Sequence, residues 1–147
     1  MYPMMVDISK RKIVVVGGGK IATRKLQELV GCGGHPTVIA PAVSPQIQEW
    51  ADDGKAVLFR RTYRSGDLEG ATFIFICTDD PLTNNAVRSE IGPQQFLNDT
   101  TDRNNSDFIN LATLRQDDFL VAVSTFGNDP RKAKRLLQDI GDKLPKK

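Results

Sequence analysis

Lys12-Ile13-Val14-Val15-Val16-Gly17-Gly18-Gly19-Lys20-Ile21-Ala22 decides the fold. The β-branched run up to Val16 has no polar alternation, the pattern of a strand buried on both faces of a parallel sheet. After the glycines, Ile21, Ala22, Leu26 and Leu29 recur at helical spacing as far as Val30. Gly31, Gly33 and Gly34 then stop the helix. Thr37 to Ala40 reads as a second strand, closed by Pro41. These elements make one β-α-β unit of nucleotide-binding length.

The turn fits G-x-G-x-x-A through Gly17, Gly19 and Ala22. The first glycine permits a tight turn, the next admits a pyrophosphate close to the backbone, and Ala22 keeps the helix near the sheet. Exposed amides and the positive end of the helix then face the phosphates. The strand–turn–helix context predicts dinucleotide binding here. The plainer reading is a tight turn without a ligand. The second strand ends in Ile39-Ala40-Pro41, where many NAD sites carry an acid for the ribose, and no arginine stands there for a 2′-phosphate. The ribose is then left to backbone groups or to residues such as Ser44, with a modest preference for NAD over NADP.

The alternation continues. Pro45 to Asp52 reads as a helix capped by Ser44. Ala56 to Phe59 and Ala71 to Cys77 read as strands, Pro81 to Glu90 as a helix, and Gln95 to Leu97 as a short fifth strand. The polar loop Asn98 to Asp107 follows. Beyond it the pattern changes: Phe108 to Ala112 and Phe119 to Ser124 read as an antiparallel pair. Asp129 caps a last helix from Pro130 to about Lys143. The expected architecture is α/β: a Rossmann-like doubly wound parallel sheet over residues 1–107, with a small hairpin-plus-helix element over 108–147.

Composition narrows the classes of function. The chain has 147 residues, 39% hydrophobic and 26% charged, with a formal net charge of +2. That balance points to neither disorder nor nucleic acid. No apolar run is long enough for a membrane span, and no signal peptide is expected, so the chain reads as cytoplasmic. Cys32 and Cys77 lack metal-site spacing, and His35 beside Pro36 reads as a loop residue, so no metal site is expected.

In this architecture a ligand lies beyond the carboxyl ends of the strands. Three polar groups arrive there: the glycine turn, Thr78-Asp79-Asp80, and Asn98-Asp99-Thr100-Thr101-Asp102. At least one of Asp79 and Asp80 reads as a cap for the helix opening at Pro81. The second aspartate pair, Asp99 and Asp102, reads either as part of an Asx-rich turn or as catalytic.

Further residues carry a family resemblance. Tyr2-Pro3-Met4 and Val6-Asp7-Ile8 stand near the start, and Thr23-Arg24-Lys25 extend the glycine motif. Val38-Ile39-Ala40-Pro41, Cys77-Thr78-Asp79-Asp80 and Asn84 follow, then Asn98 four residues before Asp102, and Phe108. Val121-Ala122-Val123-Ser124-Thr125 precedes Gly127, Pro130 and Ala133 to Leu136. Over nearly its whole length the chain resembles the precorrin-2 dehydrogenases of sirohaem biosynthesis, including the amino-terminal module of sirohaem synthase.

The resemblance implies NAD-dependent oxidation of precorrin-2 to sirohydrochlorin. It implies that Gly17, Gly19, Lys20 and Ile21 bind the pyrophosphate and that Pro41 and Ala42 border the adenosine, with Thr78 on the cofactor side of the crevice. Asp102, by its spacing to Asn98 and Phe108, matches the family's essential aspartate, and we read it as the proton acceptor. Arg103, Arg115, Lys132 and Arg135 are candidates for the substrate's carboxylates. The family's members are dimers, and the Phe108–Ser124 hairpin with the final helix matches their dimerisation region. Two other readings are a bifunctional enzyme that also inserts iron into sirohydrochlorin, and a non-catalytic NAD-sensing module.

Overall fold

Val14 and Val15 have no solvent exposure, because their strand is the middle of a five-stranded sheet. The computed structural model describes residues 1–144. The strands are β1 (Ile13–Val16), β2 (Thr37–Ile39), β3 (Val57–Phe59), β4 (Phe73–Ile76) and β5 (Phe96–Asp99). They pair in the order β3-β2-β1-β4-β5, all parallel. The crossovers run through helices α1 (Lys20–Gly31), α2 (Pro45–Asp52) and α3 (Pro81–Glu90).

The period of two along β1 divides the core. Ile13 and Val15 pack with Ala22, Leu26, Val38, Ile47 and Phe75 on one face. Val14 and Val16 pack with Ile39, Ile74, Ile76, Val87 and Leu97 on the other. Each fully buried aliphatic side chain contributes about 1.5–3 kcal/mol against the chain entropy. Both faces of the sheet are therefore covered, as the apolar run at Val14 predicts, and the fold is Rossmann-like. The strand order reverses between β1 and β4, which sets a ligand crevice at their carboxyl ends.

Two expected strands are displaced. β5 was expected to end at Leu97 but continues to Asp99. Asn98 stays in the strand because its Nδ2 donates to the Phe108 carbonyl at 2.9 Å. Asp99 stays because its amide donates to Ser106 Oγ at 2.8 Å and its carboxylate is fully partnered. The first hairpin strand was expected from Phe108 but begins at Ala112. Phe108 instead places its ring edge-on to Phe73 and Phe75, with centroids 5.6 and 5.5 Å away. Ring packing on the sheet face wins over local strand propensity there. The outer edge of β5 is covered too: Leu97 and Asp107 exchange bonds of 2.8 Å through Leu97 N–H to the Asp107 carboxylate and Asp107 N–H to the Leu97 carbonyl.

Met1–Phe108 forms one compact unit, and a second starts at Ile109. The second unit pairs β6 (Ala112–Arg115) with β7 (Leu120–Val123) antiparallel, Ala112 opposite Val123 and Arg115 opposite Leu120. Helix α4 (Pro130–Gly141) packs on both strands, capped by Asp129, whose carboxylate accepts the Lys132 amide at 2.9 Å. Ala133 is buried, while Phe126, Leu136 and Ile140 stay exposed in this unit. Among the described residues, no helix is long and apolar enough to cross a membrane.

Candidate functional site

A cleft of about 520 Å³ opens where the strand order reverses. Its floor is the glycine turn. Gly17 has φ +119°, a conformation that L side chains rarely adopt. A Cβ on it would sit 2.5 Å from the Cys77 carbonyl carbon. Gly18 is equally confined: its Cβ would meet the Ala42 carbonyl and lie 2.6 Å from Val43 Cγ1. The Gly18 carbonyl also accepts the Ser44 amide at 2.9 Å, which ties the turn to the loop after β2. Gly19 has open space around it.

Gly19 is the N-cap of α1, and no side chain caps that helix. The other three helices are each closed by a side chain: Ser44 for α2, Asp80 for α3 and Asp129 for α4. The first amides of α1 thus keep their donors for an outside acceptor, at the positive end of the helix dipole. Gly17 and Gly18 have no room for side chains, so neither adds one at this end. A pyrophosphate fits such a cradle.

Gly17, Gly19, Lys20, Ile21, Pro41, Ala42 and Thr78 all line this one cleft. Ile21 is 45% exposed, so its apolar side chain is available to a ligand. Asp79 lines the cleft as well. Asp80 lines it but spends its carboxylate on α3, accepting the Leu82 and Thr83 amides at 3.3 and 3.0 Å. The Thr83 hydroxyl, which donates to the same carboxylate, and then these amides hold its carboxyl below the usual range. Ser44, offered above as a ribose ligand, is engaged elsewhere. Its hydroxyl lies 2.7 Å from Thr23 Oγ1 and accepts the Ile47 amide.

Asp102 is exposed, just beyond Thr100 and Thr101, which line the cleft. It caps a short 3₁₀ turn, Arg103–Asn105, by accepting the Asn104 amide at 3.0 Å. Asp99 is 3% exposed and ion-paired to Arg88, so the two aspartates occupy opposite environments. Arg103 belongs to the first unit, and Arg115, Lys132 and Arg135 to the second. All four are exposed.

The glycine pattern left out Gly18, which falls on a free position of the motif. Thr62, Tyr63 and Thr83 were also missed, whereas Thr100 and Thr101 lie in the loop that the strand ends deliver to the crevice. Thr62 and Tyr63 follow β3, so the strand-end rule that selected Thr78 points to them as well. The Tyr63 hydroxyl is buried without a hydrogen-bond partner of standard geometry. Burial pushes its phenol above the usual range, and the Glu90 carboxylate adds to the push. Cys77, also on the cleft wall, is a buried thiol pushed up by desolvation to about 12, which makes it inert at neutral pH. Lys25 sits 5.9 Å above the Phe75 ring, and burial lowers its ammonium. Among the described residues no cluster of His, Cys, Asp and Glu is arranged to hold a metal.

Known proteins resemble the chain in sequence and in fold. An NAD(P)-binding family matches residues 4–112. The precorrin-2 dehydrogenase of Priestia megaterium is 33% identical over 140 residues, covering 95% of this chain and 69% of that protein. That of Bacillus subtilis is 30% identical over 144 residues, covering 98% and 88%. The siroheme synthase of Pseudoalteromonas atlantica is 29% identical over 147 residues, but only 32% of its own length is covered. The solved structure of SirC, a precorrin-2 dehydrogenase, superposes with a TM-score of 0.87 at 32% identity, over 99% of this chain and 72% of that one. With the glycine cradle, the uncapped α1 and the five-stranded parallel sheet in place, the chain belongs to the precorrin-2 dehydrogenase family.

Proposed function

We propose that the chain oxidises precorrin-2 to sirohydrochlorin, with NAD as the acceptor and Asp102 as the base. The observation that carries the reading is the uncapped start of α1 behind two glycines that admit no side chain. When bound, a nicotinamide accepts a hydride from the substrate. The chain's own residues do the rest. Gly17, Gly19, Lys20 and Ile21 hold the pyrophosphate, Pro41 and Ala42 border the adenosine, and Thr78 fixes the opposite wall. Oxidation also releases a proton, which Asp102 takes directly or through water.

The arginine that precedes the cleft residue Thr62 supports NAD over NADP. Arg61, just before Thr62, is gripped by both Asp67 oxygens at 2.7 Å. The ion-paired Arg61 is therefore not left over for a 2′-phosphate. In this reading the first unit is the cofactor domain and the second, which starts at Ile109, is the dimerisation element. The exposed Phe126, Leu136 and Ile140 give a second copy an apolar face to cover. Cys32 and Cys77 are both thiols, which suits the reducing cytoplasm, where we place the protein.

The test is anaerobic incubation of the protein with precorrin-2 and NAD, followed by absorbance. Wild type forms sirohydrochlorin and reduced cofactor in equal amounts. Asp102→Asn binds NAD with unchanged affinity and loses nearly all turnover. Full turnover by that variant would remove Asp102 from the mechanism.

A further inference from the structure

Asp99 is a buried carboxylate that the proposed chemistry does not use. Its side chain has no solvent exposure, and Arg88 of α3 pairs with it at 2.7 Å. Arg88 Nε donates to Oδ2 at 2.7 Å, and Asn105 Nδ2 donates to the same oxygen at 3.3 Å. Oδ1 accepts the Thr101 amide at 2.9 Å, the Thr101 hydroxyl at 2.7 Å and the Asp102 amide at 3.2 Å. Arg88 Nη2 closes a ring by donating to Thr101 Oγ1 at 2.8 Å.

We infer that Asp99, gripped by Arg88, is a positioning residue that fixes Asp102 beside the cleft. This inference rests on the reading of Asp102 as the base. Three observations carry it. First, the Asp99 carboxylate reaches forward to Thr101, Asp102 and Asn105, all within the loop that presents Asp102. Second, the root of that loop is fixed separately: Thr100 donates its amide and its hydroxyl to the Ile76 carbonyl, at 3.1 and 2.8 Å. Beyond Thr100, the amides of Thr101 and Asp102 find their partner in Asp99. Third, Arg88 stands on the helix whose first turn, at Asp80 and Thr83, lines the cleft. The ion pair therefore joins two walls of the site.

Stability alone does not call for this arrangement. Apolar residues of similar volume serve at least as well as a buried ion pair in many proteins. What the pair adds is direction: a carboxylate with several acceptor positions holds successive donors at fixed angles. A base displaced by about 1 Å loses on the order of a hundredfold in rate.

Steady-state kinetics with precorrin-2, together with calorimetric NAD titration, test the inference on the full chain. Asp99→Asn keeps the volume and removes the charge. Its kcat falls by about ten- to a hundredfold, in line with a misplaced base, while the dissociation constant for NAD stays within about twofold. Arg88→Ala behaves the same way. Arg88→Lys, which returns one charged donor without the reach to Thr101, recovers part of the loss. If Asp99→Asn fails to fold, the two Arg88 variants carry the comparison. An active wild type with unchanged kcat in Asp99→Asn or in Arg88→Ala overturns the positioning role alone. So does a fall in kcat matched by an equal fall in NAD affinity. Wild type that leaves precorrin-2 untouched, or Asp102→Asn with full turnover, overturns the parent reading and this one with it.

Discussion

Gly17 lies against the Cys77 carbonyl, across the boundary where β1 and β4 run side by side. No side chain fits between them, and φ at Gly17 is positive. Gly17→Ala should therefore strain the turn by about 1–3 kcal/mol before any clash is counted. We expect a lower melting temperature and no measurable NAD binding. Gly19→Ala is the contrast, since nothing lies within 4 Å of its Cβ and its φ of −86° is ordinary. Its stability should stay within about 0.5 kcal/mol of wild type. Its NAD affinity should still drop, because the new methyl stands at the open end of α1. Calorimetric titration and thermal melts separate the two effects.

Ser44 closes α2 and also meets Thr23 of α1. Ser44→Ala removes an N-cap, worth about 1 kcal/mol, and leaves the Thr23 hydroxyl short of one partner. A small drop in melting temperature with cofactor affinity nearly intact is the expected result. A large loss of affinity would instead restore Ser44 as a ribose ligand.

Acid should weaken the Asp99 clamp in a defined direction. Burial pushes this carboxyl up, but bonds from Thr101, Arg88 and the Asp102 amide outweigh burial and hold it below its ordinary value. A carboxyl lowered on folding stabilises the protein above its unfolded value, about 3.9, and loses that contribution as pH falls through the folded value. Asp99→Asn cannot titrate. Its deficit in urea midpoint, clear at pH 7, should narrow below about pH 4. An equal deficit at both ends of the range contradicts the assignment.

Phe108 is half-buried, and two aromatic rings of β4 meet it edge-on. Phe108→Ala should cost about 2–3 kcal/mol, less than truncation of a fully buried ring. Chemical denaturation measures it. A change within experimental error would mean that the residue belongs with the hairpin after all.

The sheet was legible because its signals are local. Ile13 to Val16 announce a buried strand, and Ser44, Asp80 and Asp129 each precede a helix-opening proline. Gly17, Gly19 and Thr78 follow from strand ends and a known glycine spacing, whereas Lys20, Ile21, Pro41 and Ala42 are supplied by the family resemblance. What escaped depends on distant partners. Asn98 and Asp99 look like loop residues until Phe108 and Arg88 satisfy them. Phe108 looks like a strand residue until Phe73 and Phe75 claim its ring. Gly18 occupies a free position of the motif, and only its approach to Ala42 shows why it is glycine.

The place of β1 between β2 and β4 has a consequence for synthesis of the chain. Ile13 pairs with Phe73, so the central ladder joins residues that leave the ribosome far apart in time. The glycine turn emerges early, but the wall it rests on, at Cys77 and Thr78, comes much later. A nascent chain stopped before Cys77 owns the complete phosphate-binding motif and has nowhere to seat it. Cofactor capture thus belongs to the later half of biogenesis, after β4 has been added beside β1.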